Sequence, residues 1–225
     1  MIKNRIKQKE NVKTAKGRRI SSTKWLERHI NDPYVQMAKG KYRSRAAFKL
    51  LQIDEKFHLL NRASSVIDLG CAPGGWLQVL KAKCNKTTMI VGVDLQKVQP
   101  VPGVTIIEGD FFDDACIDQI LVSRDVNFDL IVSDLAASSC GTPEVDHLKS
   151  VALIEAVMMF AMDRLLVGGN LVAKAIRGGQ EQLTTKRLKM IFKEVKQFKP
   201  DASYSGSAEF FYICLGHIKG VDPFS

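Results

Sequence analysis

The chain of 225 residues, 45% hydrophobic and 25% charged, can bury one good core but is short for two, so residues 21–225 are read as a single domain behind an arm at 1–20. No apolar stretch approaches the ~18 residues of a membrane span, and the charged N-terminus lacks the apolar run of a secretory signal; five scattered cysteines without a CxxC pair suggest no disulfide framework or zinc site, so a soluble cytoplasmic protein with no resident metal is expected. The net charge of +9 is concentrated: residues 1–49 hold 15 Lys or Arg against three acids, a balance of +12, while the remainder holds 18 against 21, or −3.

Residues 1–20 (MIKNRIKQKENVKTAKGRRI) read as a basic, disordered arm. Lys and Arg displace counterions condensed on a phosphate backbone, so a polyanionic partner is implied, although a merely solvated tail has the same composition. SSTKWLERHINDPYV reads as a short helix capped by Ser22 or Thr23 and ended near Asn31 to Pro33. In YRSRAAFKLLQIDEKFHLL, Ala47, Leu50, Leu51 and Phe57 recur near helical spacing behind a Ser44 cap. Beyond residue 66, VIDLG, MIVGVDL, VTIIEGD, FDLIVSD and NLVAKAI read as strands, with WLQVLKAKC, CIDQILVSR and SVALIEAVMMFAMDRLL as helices between them. Gly168 and Gly169 close the last of these helices, a further helix covers 180–198, and a final strand falls near FFYICLG. Such alternation predicts an α/β, Rossmann-like fold: a mostly parallel sheet with helices on both faces.

VIDLGCAPGGW is a buried strand, a glycine-rich turn and a helix start. Glycines such as Gly70 and Gly74 let the backbone approach a ligand, and the helix N-terminus supplies unpaired N–H donors. Asp94 ends the second strand, where an acid can accept from ribose hydroxyls, and Asp110 follows the third, within reach of an adenine amino group. A nucleoside pocket follows, which NAD or S-adenosylmethionine (SAM) could fill. The dinucleotide fingerprint needs room for a pyrophosphate, and Asp68 would repel one; it suits the ammonium and sulfonium of SAM. A carboxylate that only stabilises the turn is the alternative reading of Asp68.

Asp134 ends the strand FDLIVSD and Lys174 lies near the end of NLVAKAI, so both should face the crevice where open α/β sheets bind ligands. An ammonium within so apolar a run costs several kcal/mol unless paired. Spacing alone leaves two readings open, a catalytic pair or one structural ion pair.

The combination of YRSRAAFKL, DLGCAPGGW, VSDLAAS followed by GTPEVDH, NLVAKAI and SAEFFYICLG resembles the FtsJ/RrmJ family of RNA 2'-O-methyltransferases, from about Ser21 to Gly216. SSTKWLERHINDPYV is similar to the N-terminal segment of the family's bacterial ribosomal RNA members. The resemblance implies a seven-stranded SAM-methyltransferase fold and a catalytic Lys-Asp-Lys-Glu tetrad at Lys49, Asp134, Lys174 and Glu209. It places SAM contacts at Gly74, Trp76, Asp94, Asp110 and Asp134. It also implies as substrate a uridine 2'-hydroxyl in the A loop of 23S ribosomal RNA, within the large ribosomal subunit; separately, a monomer is expected. Where family members carry Pro and Asn after the fourth-strand Asp, this chain has Ala137 and Ser138, and Cys71 stands where Ala or Gly is common.

A ribose 2'-hydroxyl is a poor nucleophile and must lose its proton as the methyl transfers. Lysine accepts a proton only when neutral, so a base at Lys174 requires its ordinary value of about 10.4 to be lowered, by Lys49 nearby and by desolvation. Glu209 would hold Lys49 or the ribose. On the RNA side, Lys39, Lys41, Arg43 and Arg45 precede Lys49 and offer phosphate contacts, which position without specifying. Trp25 and Tyr34 could stack on a base but more often pin such a helix to the core. Trp76 is expected to shield the SAM pocket. Alternatives are a 2'-O-methyltransferase of tRNA anticodon loops, whose members tend to lack the basic N-terminal segment, a ribosome-assembly factor with dispensable catalysis, and a nicotinamide dehydrogenase.

Overall fold

The computed structural model describes residues 20–121, 127–138, 140–219 and 222–224. Apart from Ile20, the basic arm lies outside the described residues, as does the side chain of Trp25. The strands are β1 (Ser65–Leu69), β2 (Met89–Asp94), β3 (Thr105–Glu108), β4 (Phe128–Ser133), β5 (Leu165–Ile176), β6 (Phe192–Phe198) and β7 (Glu209–His217). The helices are α1 (Ile20–Ile30), α2 (Pro33–Ala38), α3 (Ala47–Phe57), α4 (Gly75–Lys83), α5 (Asp114–Leu121), α6 (Pro143–Arg164) and α7 (Glu181–Ile191). The seven strands lie in the order β3-β2-β1-β4-β5-β7-β6. Strands β1 to β5 are parallel, and β7 runs antiparallel between β5 and β6. This is the expected Rossmann-like α/β architecture.

Alternation along the strands sorts the apolar side chains into two layers. Val66, Leu130, Val132, Val172, Phe211 and Ile213 pack under Leu50 and Ile53 of α3 and Leu77 and Leu80 of α4. Ile67, Ile131, Leu171, Ala173, Phe210 and Tyr212 pack on the opposite face under Val157 and Met158 of α6 and Leu188 of α7. Strand order reverses between β1 and β4, and in open α/β sheets such a switch point opens a crevice at the carboxyl ends.

Several expected boundaries shift. Helix α1 begins at Ile20, so Ser22 and Thr23 lie inside it. Asp32 caps the unexpected α2, accepting from the amides of Tyr34 and Val35. Ser44 caps nothing; the residue ahead of α3 is Ala46, which makes no side-chain cap bond. Leu165 leaves α6 in extended conformation and starts β5, so Gly168 and Gly169 lie within that strand. The helix expected over 180–198 stops at Ile191 and gives way to β6, an edge strand.

Candidate active site

The same alternation assembles the site. Asp68 lies between Ile67 and Leu69, both of the α6 layer, and so points to the α3 side. Lys174, between Ala173 and Ala175 of the α6 layer, does likewise. Glu209 pairs with Ile176 at the start of the antiparallel β7, which brings it to the edge where the parallel strands end. Helix α3 covers that edge and carries Lys49, only 9% exposed.

All four residues of the expected tetrad meet. The Lys174 ammonium lies 3.0 Å from Asp134 Oδ1 and donates to the Asp134 main-chain oxygen at 2.7 Å. The Lys49 ammonium lies 3.5 Å from the same Asp134 Oδ1 and 2.8 Å from each Glu209 oxygen. Ser203 Oγ donates to Glu209 Oε1 at 2.7 Å. Burial alone would push the Glu209 carboxyl up, but the Lys49 charge and the Lys49 and Ser203 hydrogen bonds hold it below the usual carboxylate range. One carboxylate oxygen thus serves two ammonium groups, with the side chains 10–18% exposed. The arrangement can bind a hydroxyl, orient it and take its proton.

Beside it stand three more acids, Asp68 and Asp94 near the ends of β1 and β2 and Asp110 just past β3. Asp68 is fully buried, and neither carboxylate oxygen has a partner. Burial first, then the charges of Asp134 and Asp94, push its carboxyl well above the usual range. An orphaned buried carboxyl fits a cationic ligand, and it is not the turn-stabilising carboxylate of the alternative reading. Asp94 accepts from the amides of Ala72 and Gln96, each at 2.8 Å, and so ties the glycine loop to the end of β2 while keeping spare lone pairs. Asp110 is exposed and accepts from the Phe112 amide at 3.0 Å. Gly70 has φ +79°, and an added Cβ would lie 2.5 Å from Leu135 Cδ2; Gly74 has φ +104° and would meet Arg43 Nη1 at 2.5 Å. The Trp76 ring is buried in the α3–α4 layer, donating to the Ala46 carbonyl at 2.8 Å and packing on Phe211. Cys71 is buried, and burial, then Asp68 and Asp94, push its thiol up; it packs.

The expected row of phosphate contacts is shortened. Arg43 donates to the carbonyls of Pro73, Gln99 and Pro100 at 3.3, 2.5 and 2.8 Å, joining the start of α3 to the loops that follow β1 and β2. Arg45 pairs with Asp32 at 3.1 Å, donates to the Ala202 carbonyl and stacks over Tyr204. Lys39 and Lys41 remain exposed. Tyr34 packs on Phe48 at 5.4 Å and accepts from Gln52, the packing role. Ala137 and Ser138 are exposed beyond Asp134, and Lys149 donates to the Ser138 carbonyl.

Sequence reasoning passed over Arg43 as a loop clamp, Ser203 as the Glu209 partner, and two apolar side chains beside the acids. Leu95, next to Asp94, is 72% exposed and Phe112, near Asp110, is 51% exposed. Among the described residues no helix is long and apolar enough to cross a membrane, and no group of three or more His, Cys, Asp or Glu could hold a metal ion.

A family model described as FtsJ-like methyltransferase matches residues 42–217. The chain is 47% identical over 206 residues to the ribosomal RNA large subunit methyltransferase E of Sphingopyxis alaskensis, covering 91% of this chain and 89% of the relative. It is 45% identical over 217 residues to the protein of that name in Ruegeria pomeroyi, covering 92% and 93%. Among solved structures, a ribosomal RNA methyltransferase from Plasmodium falciparum superposes with a TM-score of 0.70 at 29% identity, over 80% of this chain and 100% of that one.

Proposed function

Because the chain belongs to the FtsJ-like methyltransferase family, we propose that it methylates a uridine ribose 2'-hydroxyl in the A loop of 23S ribosomal RNA, within the large ribosomal subunit and with SAM as donor. The observation that carries this reading is the convergence of two ammonium groups on Asp134, near a fully buried acid, Asp68, whose carboxylate has no partner. It acts as a monomer in the cytoplasm. Its relatives' name as large-subunit methyltransferases supports the substrate.

SAM, when bound, supplies a methyl group on a positively charged sulfur. Asp68 would take the ammonium of its methionine end, Asp94 the ribose hydroxyls and Asp110 the adenine amino group, with Leu95 and Phe112 bordering the ring. Gly70 and Gly74 admit it to the backbone, and Trp76 contributes a main-chain amide of the first turn of α4.

On the RNA side, Lys174 is the general base. Its Nζ donates to the Asp134 main-chain oxygen and lies 3.0 Å from Asp134 Oδ1; the proton of the ribose hydroxyl would pass to this nitrogen as the ribose oxygen takes the methyl group, and then to solvent. Asp134 orients Lys174 and would face the sulfonium when SAM is bound. Lys49, fixed by Glu209, holds positive charge beside the base and the developing ribose oxygen.

Incubating the protein and radiolabelled SAM with large ribosomal subunits and, separately, with tRNA tests the substrate. Label is expected in the large-subunit RNA; label confined to tRNA would overturn the substrate assignment. Arg43 affords a second test. Replacing it with Met leaves three loop carbonyls without a donor, and SAM affinity measured by calorimetry should fall about tenfold, with RNA affinity little changed. The reverse pattern would restore Arg43 as a phosphate contact.

A further inference from the structure

A cavity opens next to Ser203, the hydrogen-bond partner of Glu209. It measures about 1080 Å³ and lies between the end of α1, the start of α2 and the segment joining β6 to β7. Its wall is built. The Arg45 guanidinium lies over the Tyr204 ring, 3.6 Å from the ring centroid, and Asp32 and the Ala202 carbonyl fix it there. Lys199, also lining the cavity, donates to the carbonyls of Ser205 and Ser207 and so braces the loop that carries Tyr204. Ser203 both lines the cavity and bonds Glu209, so the cavity stands one residue away from the tetrad.

Its charge decides what it can hold. Arg28, Arg45 and Lys199 are matched by Glu27, Asp32 and Asp201. Arg45 is paired, and Lys199 is engaged with its own loop. A phosphate site needs surplus positive charge, which this cavity lacks. A neutral, flat, polar-edged ring needs a stacking surface and hydrogen-bonding groups around its rim, and both are present.

We propose that this cavity is a nucleobase subsite, in which an unpaired base of the RNA close to the methylated nucleotide stacks on the Arg45–Tyr204 platform while its own chain leads the target ribose to Lys174. The inference rests on RNA being the substrate. It gives the enzyme a grip on single-stranded RNA that does not depend on phosphate contacts, in a chain whose Arg43 and Arg45 are engaged internally.

Two substitutions test it. Gly206 lines the cavity, and a Cβ added there meets nothing within 4 Å, so Gly206→Trp fills the cavity from open space; Tyr204→Ala removes the platform. The KM for large-subunit RNA and the Kd for fluorescein-labelled hexauridylate should rise about tenfold or more in both. SAM affinity should stay within twofold of the wild type, and Tyr204→Trp, which keeps an aromatic face, should bind as the wild type does. Wild-type hexauridylate affinity in Gly206→Trp and Tyr204→Ala would overturn the subsite. A wild-type protein that binds hexauridylate through this cavity but methylates no ribosomal RNA would overturn the proposed function and leave the subsite standing.

Discussion

Replacing Lys174 with Ala is expected to lower the rate of methyl transfer about 10²- to 10⁴-fold while SAM binds within twofold of its wild-type affinity. Lys174 meets Asp134 through a side-chain and a main-chain oxygen, and Asp134 keeps its contact with Lys49 when Lys174 is gone, so the pocket wall survives. Lys174→Arg separates the two readings of this pair. A guanidinium preserves the positive charge and the ion pair, but it stays protonated at any pH the fold tolerates. A structural pair would tolerate the exchange; a general base would not. Single-turnover transfer at saturating RNA should therefore find both variants equally defective, and full activity in either would remove Lys174 from the chemistry.

The second large effect is expected at Asp68, and it has opposite signs in stability and in binding. The fully buried carboxyl has no hydrogen-bond partner, and burial first, then Asp134 and Asp94, raise its affinity for a proton. The folded protein therefore holds a proton that the unfolded chain releases above about pH 4. Stability falls as pH rises from that value towards the raised folded one, because the native state binds more protons there. Asp68→Asn abolishes this loss, so the ligand-free variant should melt above the wild type at pH 7, by roughly 2–4 °C per kcal/mol recovered. Asparagine cannot supply the negative charge that an ammonium needs, and SAM affinity should fall about tenfold or more. Thermal melts with and without SAM give both signs together. An Asn variant that binds SAM as tightly as the wild type would return Asp68 to a structural role.

Much of this was legible because strand alternation is strict. Asp134 and Lys174 stand out as charges at the ends of apolar strands, and the acids at the ends of β1 and β2 stand out in the same way. Glu209 and Lys49 are less visible alone: one begins an antiparallel strand whose direction no local pattern reveals, and the other sits beside Phe48 and Leu50 as one basic residue among many. The β6 strand was hidden for a physical reason. Phe192, Val195 and Phe198 recur every third residue, as on a helix, and an edge strand with mostly exposed side chains carries no two-residue signature. Arg43 and Arg45 misled through proximity to Lys49, since their carbonyl partners lie 30 to 157 residues away. Exposed apolar residues such as Leu95 look like noise until the proposed SAM contacts give the acids beside them a role.

The central claim is that the tetrad directs a methyl group to a ribose oxygen, and alkaline hydrolysis of the labelled RNA tests it directly. A 2'-O-methyl group removes the hydroxyl that attacks the neighbouring phosphate, so the label is predicted in a single alkali-resistant dinucleotide from 23S ribosomal RNA, absent when Lys174→Ala replaces the wild type. Label recovered in ordinary mononucleotides, as methylation of a base would give, would contradict the account.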